Sequence, residues 1–134
     1  MKEFIKKNTV LVIILLTAVI FIFSYAAYTY HGLMSYRAKV SAISIENIDV
    51  SSIPDGIYTG ECDVGYISAK VTVTVTDGVI TNIDLDHRHD RGAAAERVVT
   101  DILARQRVDV DAVSGATNSS SVIMKAISNA LILP

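Results

Sequence analysis

The chain begins with a long apolar run. From Asn8 to Tyr30 no charged residue occurs, and the centre of that run, Val10 to Ala27, consists mostly of Val, Leu, Ile, Phe and Ala. Coiled as a helix, this centre reaches about 27 Å, close to the thickness of a hydrocarbon core. The pattern predicts a tail over 1–7 and a transmembrane anchor over 8–30. Tyr25, Tyr28 and Tyr30 stand where amphipathic rings settle at the interface. A secretory signal peptide is the rival reading, because Lys2, Lys6 and Lys7 precede the apolar run and the small residues Ala26 and Ala27 close it. The run is longer than the usual signal core, which favours an uncleaved anchor. Residues 31–54 read as stalk and linker: Ser35 to Ile45 prolongs the helix, and Glu46 to Pro54 is polar and leads into a Pro-Asp-Gly turn.

From 55 onward the period changes. Ile57 to Cys62 reads as a short strand. In Tyr66 to Thr76, Val71, Val73 and Val75 alternate with Thr72, Thr74 and Thr76, the period of a half-buried strand. Asp77-Gly78 supplies the positive φ angles of a tight hairpin, and Val79 to Leu85 returns as its partner. Ala93 to Gln106 carries Val98, Val99, Ile102 and Leu103 at helical spacing, predicting a helix that covers one sheet face. Val108 to Val110 suits a last strand or an extended segment. Val122, Ile123, Ala126, Ile127, Ala130 and Leu131 mark a second helix starting near Ser119. The expected fold is α+β: over 55–134 a small antiparallel sheet packs against two helices, preceded by one N-terminal transmembrane helix.

Charge narrows the function classes. Beyond His31 the chain has nine Lys and Arg against thirteen Asp and Glu, an acidic balance that points away from nucleic acid. The three N-terminal lysines orient the anchor with its N-terminus inside, although Arg37 and Lys39 beyond the helix weaken that bias. Cys62 is the lone cysteine and has no partner for an internal disulfide; it reads as a buried small hydrophobe.

Two stretches carry candidate chemistry. In Asp111-Ala-Val-Ser-Gly-Ala-Thr-Asn-Ser-Ser120, hydroxyls and one glycine gather where a helix begins. Helix-start amides lack partners and the macrodipole adds positive potential, so an anion is stabilised there. Gly115 admits close backbone approach, and Ser114, Thr117, Ser119 and Ser120 offer hydroxyls. The same residues also suit an ordinary turn and helix cap. The second stretch is Asp86-His87-Arg88-His89-Asp90-Arg91-Gly92. Only His87 and His89 stand out as ligands, too few for a metal site of three or four, so a solvated polar loop is the plainer reading and no metal is assigned.

Asp111, Ser114, Gly115, Ala116 and Thr117 match an Asp-x-x-Ser/Thr-Gly-Ala-Thr/Ser pattern. Together with Asp55-Gly56-Ile57-Tyr58-Thr59-Gly60 and the Asp77-Gly78-Val79-Ile80 turn, the chain from about Asp55 to Leu131 resembles covalently flavinylated FMN-binding domains. That family includes the flavin-carrying subunits of the sodium-pumping NADH:quinone oxidoreductase and of the Rnf complex. The resemblance implies FMN esterified to Thr117 by an FAD:protein FMN transferase. Ser114, Gly115, Ala116, Ser119 and Ser120 would surround the phosphate, and Asp111 would be recognised by the transferase. His87 and His89 would flank the flavin ring. Where many members have a Leu-Gly or Ile-Gly turn, this chain has Arg91-Gly92-Ala93-Ala94. Tyr58 and Tyr66 are aromatic alternatives beside a ring, with a core role on the sheet as the default for each.

The implied protein is a single-pass membrane protein with its C-terminal domain outside the cytoplasm, a phosphoester-linked flavoprotein. It would relay electrons from a membrane redox donor to an extracytoplasmic acceptor as a carrier more than as an enzyme. Two other classes remain: a flavin-dependent reductase acting on a small acceptor, and a cofactor-free binding or assembly module that retains the fold.

Overall fold

The computed structural model describes residues 2–88 and 93–132, with side chains from residue 8 onward. Two compact units divide the chain, Met1–Arg37 and Ala38–Pro134. In the first lies most of helix α1, Lys2–Ser41. The apolar side chains from Val10 to Tyr30 all lie exposed. The helix is long and apolar enough to cross a membrane. Two of its hydroxyls are satisfied within the helix: Thr17 and Thr29 donate back to the Ile14 and Ala26 carbonyls at 2.8 and 2.9 Å. A hydrocarbon environment demands such internal pairing. The expected helical stalk is present as far as Ser41.

Residues 42–54 are more than slack chain. Asp49 caps a single 3₁₀ turn, Val50–Ser52, by accepting from the Ser51 amide at 3.1 Å and the Ser51 hydroxyl at 2.6 Å. Val50 and Ile53, three apart, are both buried. The tighter period of a 3₁₀ turn brings such positions to one side, so part of the expected linker enters the core.

The sheet is a meander, β1 (Gly56–Asp63), β2 (Ser68–Thr76) and β3 (Val79–Arg88), antiparallel in the order β1-β2-β3. Register places Cys62, Ala69 and His87 in one row, and Gly60, Val71 and Leu85 in the next. The turn between β2 and β3 has Asp77 at φ 53° and Gly78 at φ 71°, as expected of Asp-Gly in a two-residue hairpin. Asp55 accepts the Asp77 amide at 2.8 Å, tying the start of β1 to that turn.

The chain then forms a 3₁₀ turn, Ala93–Glu96, followed by α2 (Arg97–Arg105) and α3 (Thr117–Leu131). α3 lies across β1 and β2, whereas α2 touches β3. Val71, Val73, Val75 and Ile80 from the sheet meet Val98 and Ile102 of α2 and Val122, Ile123, Ile127 and Leu131 of α3 in a closed core. The opposite sheet face is polar, with Lys70 between Glu61 and Asp86 in one cross-strand row. This is the expected α+β architecture.

Two expectations need correction. Of the two readings of Val108 to Val110, strand or extended segment, the strand is not formed: the Val110 amide donates to the Val108 carbonyl at 3.1 Å, while both side chains enter the core. Gln106, at φ 54°, pairs instead with the edge of β3. It accepts the Ile80 amide at 2.7 Å and donates to the Ile80 carbonyl at 2.9 Å and the Leu103 carbonyl at 2.8 Å. Gln106→Ala therefore removes three partly buried bonds. The expected loss is about 2 kcal/mol, read as a lower urea midpoint. The other correction concerns α3, which begins at Thr117 rather than near Ser119.

Candidate functional site

The loop from Arg107 to Ala116 is anchored at its start by Val108 and Val110 and at its end by Ser120. The Ser120 hydroxyl accepts from the Val113 amide at 3.0 Å and donates to the Ala116 carbonyl at 2.9 Å. Between those points the Ala116 amide closes a reverse turn onto the Val113 carbonyl at 2.9 Å, with Gly115 at φ 79°. A positive φ at the third residue of such a turn selects glycine. A Cβ on Gly115 would meet nothing within 4 Å, so backbone conformation rather than crowding requires glycine there.

This arrangement revises the expected hydroxyl set. Ser120 is fully buried and its hydroxyl is committed to shaping the turn, so it does not face an anion; Ser119 is nearly as buried. Ser114 and Thr117 are exposed. Thr117 is the first residue of α3, and the capping position belongs to Ala116, which makes no side-chain cap bond. The ordinary role of a threonine ahead of a helix is thus not the role of Thr117. Its hydroxyl makes no hydrogen bond among the described residues and stands at the positive end of the helix dipole. Asp111 is also exposed, with Arg105 Nη1 at 3.7 Å from its Oδ2. Two exposed partners at that distance add little stability.

His87 lies elsewhere than a solvated loop. It belongs to β3, its side chain is wholly buried, and its Nδ1 is 3.5 Å from Glu96 Oε1. Buried in that position, it presents no open face on which a planar ligand could stack. His89 lies outside the described residues. Among the described residues no three His, Cys, Asp or Glu side chains converge as a metal site. Cys62 is half-buried rather than sealed in the core. Burial pushes its thiol up, the Lys125 ammonium opposes that shift, and Asp63 adds to it. Because the folded chain favours the neutral thiol, this contribution to stability is present below the unfolded thiol pKa and is lost as pH rises through the folded one. Native Cys62 should react with iodoacetamide several-fold more slowly at mildly alkaline pH than the urea-unfolded chain; equal rates would contradict the shift.

The sequence model of the family described as FMN-binding domain matches residues 65–132. The chain belongs to this family. The match takes in β2, β3, α2, the Ser120-pinned loop and all of α3. No curated protein and no solved structure gave a match to the chain. The residues of this FMN-binding domain suit a phosphate-bearing cofactor. An uncapped helix start, a glycine turn with open space around it and an exposed hydroxyl meet within Ser114 to Thr117.

Sequence reasoning missed Ser120 as the pin of this turn and Gln106 as the clasp on β3. A serine four residues after a helix cap was a signal for the first, since its hydroxyl reaches back one helical turn. No local signal marked the second.

Proposed function

We propose that this chain is a membrane-tethered electron carrier whose FMN is joined through its phosphate to Thr117 Oγ1, with the domain on the extracytoplasmic side. One observation carries the reading: inside the family match, an exposed threonine hydroxyl with no hydrogen bond among the described residues stands at the first residue of a helix without a side-chain cap. In the attachment, Thr117 Oγ1 attacks the phosphorus on the FMN side of FAD. The bond from that phosphorus to the bridging oxygen breaks, AMP leaves with that oxygen, and the hydroxyl proton is released to solvent. An FAD:protein FMN transferase supplies the FAD.

Each local residue has a part in this scheme. Gly115 and Ala116 would let a phosphodiester lie against backbone, and the α3 dipole would stabilise its remaining negative charge. Ser114 offers a hydroxyl to it. Ser120 holds the turn in shape before and after attachment, and exposed Asp111 is available to the transferase. The attached flavin supplies one- and two-electron chemistry, while the chain supplies tether, orientation and electrostatics. α1 keeps the carrier at the membrane beside its donor, with an acceptor on the outer side.

The test is co-expression with the transferase, followed by membrane fractionation and in-gel flavin fluorescence after denaturation. The reading expects a fluorescent band in the membrane fraction, and protease added outside spheroplasts should remove it. A band that survives protease in intact spheroplasts but not after lysis would reverse the orientation.

A further inference from the structure

We infer that Tyr66, at the tip of the β1–β2 hairpin, is the aromatic side chain against which the isoalloxazine ring rests. The inference depends on the attachment of FMN to Thr117 and asks where the ring then lies. α3 runs antiparallel to β1: Ala126 and Ala130 lie against Gly60, and Lys125 acts on the Cys62 thiol. From Lys125 back to Thr117 is eight residues of helix, about 12 Å along its axis. That direction is also the direction in which β1 runs from Cys62 into its hairpin, whose tip stands roughly 7–10 Å beyond Cys62. Thr117 and Tyr66 therefore lie at one end of the domain at a similar height, one on the helix layer and one on the sheet layer. A ribityl-phosphate tether and a tricyclic ring span such a gap.

The other aromatic candidates lie at different heights. Tyr58 is four residues of strand from Cys62 in the opposite direction, and its hydroxyl donates to the Pro54 carbonyl at 2.7 Å. His87 sits in the Cys62 row with its side chain buried. Tyr66 is 52% exposed, on a hairpin that is fixed in place. The Val64 amide donates to the Ile67 carbonyl at 3.0 Å, and both side chains are buried. Gly65, at φ 102°, donates its amide to Asp63 Oδ1 at 2.7 Å, and its carbonyl accepts from Arg88 Nη2 at 2.8 Å. An exposed aromatic on a braced tip is a preorganised contact for a planar π system.

A phenol stacked on a flavin quenches its emission, because the excited ring takes an electron from the phenol and returns it. Wild type, Tyr66→Leu, Tyr66→Phe and Tyr58→Phe are loaded by co-expression with the transferase, and FMN content is fixed by intact mass. Emission of each native protein is compared with that of the same protein unfolded in urea. Native wild type should be several-fold dimmer than its unfolded form. Tyr66→Leu and Tyr66→Phe should brighten several-fold at equal FMN content, since neither retains the phenol, and Tyr58→Phe should match wild type. Tyr66→Phe preserves the ring volume and so tests the contact even if Tyr66→Leu folds poorly. Unquenched native wild type, or Tyr66 variants as dim as wild type, would overturn the contact while leaving the attachment standing. Absence of the FMN mass from wild type would instead overturn the attachment, and the ring placement with it.

Discussion

Thr117→Ala is expected to abolish the proposed covalent attachment of FMN and to leave the fold intact. The two halves of this expectation come from separate features of one residue. As the first residue of α3, Thr117 is exposed and is not the residue that caps the helix, so truncation changes stability by no more than roughly 0.5 kcal/mol. Its hydroxyl is nevertheless the oxygen to which the phosphate is joined in the proposed scheme. Thr117→Val, which keeps the branched shape and removes only the oxygen, should fail as completely as alanine. Thr117→Ser, which restores an oxygen at the same place, should recover part of the attachment. In-gel fluorescence of denatured protein reads the loss, and a urea melt checks the fold. Fluorescence surviving in Thr117→Val would move the attachment elsewhere.

Gly60→Val should produce the largest loss of stability. Gly60 lies where β1 meets α3, and a Cβ there would run into the Ala126 carbonyl and the Ala130 amide and lie 2.8 Å from Ala130 Cα. These are backbone atoms of a helix and cannot step aside as a flexible side chain can. Relief requires α3 to lift from β1, which would also break the Asn129 amide bond to the Glu61 carbonyl at 2.9 Å. Overpacking of this kind costs about 3 kcal/mol or more, a large share of the stability of a small domain. Urea unfolding followed by circular dichroism should show Gly60→Val with a much lower midpoint than wild type, and Gly60→Ala in between. An unchanged midpoint for valine would mean that β1 and α3 are not in the contact described.

Much of this fold is written locally. The Val and Thr alternation from Val71 to Thr76 gives β2 its buried and open faces, and Asp77-Gly78 gives the turn its positive φ angles. The apolar spacing in α3 gives the face that covers the sheet. The turn at Gly115 and the helix start that follows it were legible because the residues that make them are contiguous. What escaped reading depends on distant partners. Val50 and Ile53 look like isolated apolar residues in a polar linker until the domain core receives them. Gln106 looks like the end of a helix, yet it clasps Ile80, 26 residues away. His87 reads as part of a charged loop because its neighbours are charged, but β3 pairs as far as Arg88 opposite Ser68, and strand alternation turns His87 inward. Tyr66 reads as the first residue of a strand, whereas β2 begins at Ser68 and leaves it on the hairpin tip.

Whether FMN is carried on one particular hydroxyl is decided by mapping the modified residue by mass. Wild-type protein co-expressed with the FMN transferase is denatured, weighed intact and then digested, and the modified residue is located by fragmentation. The expected result is one FMN per chain, on Thr117. An unmodified chain in the presence of active transferase, or FMN on any other residue, would contradict it.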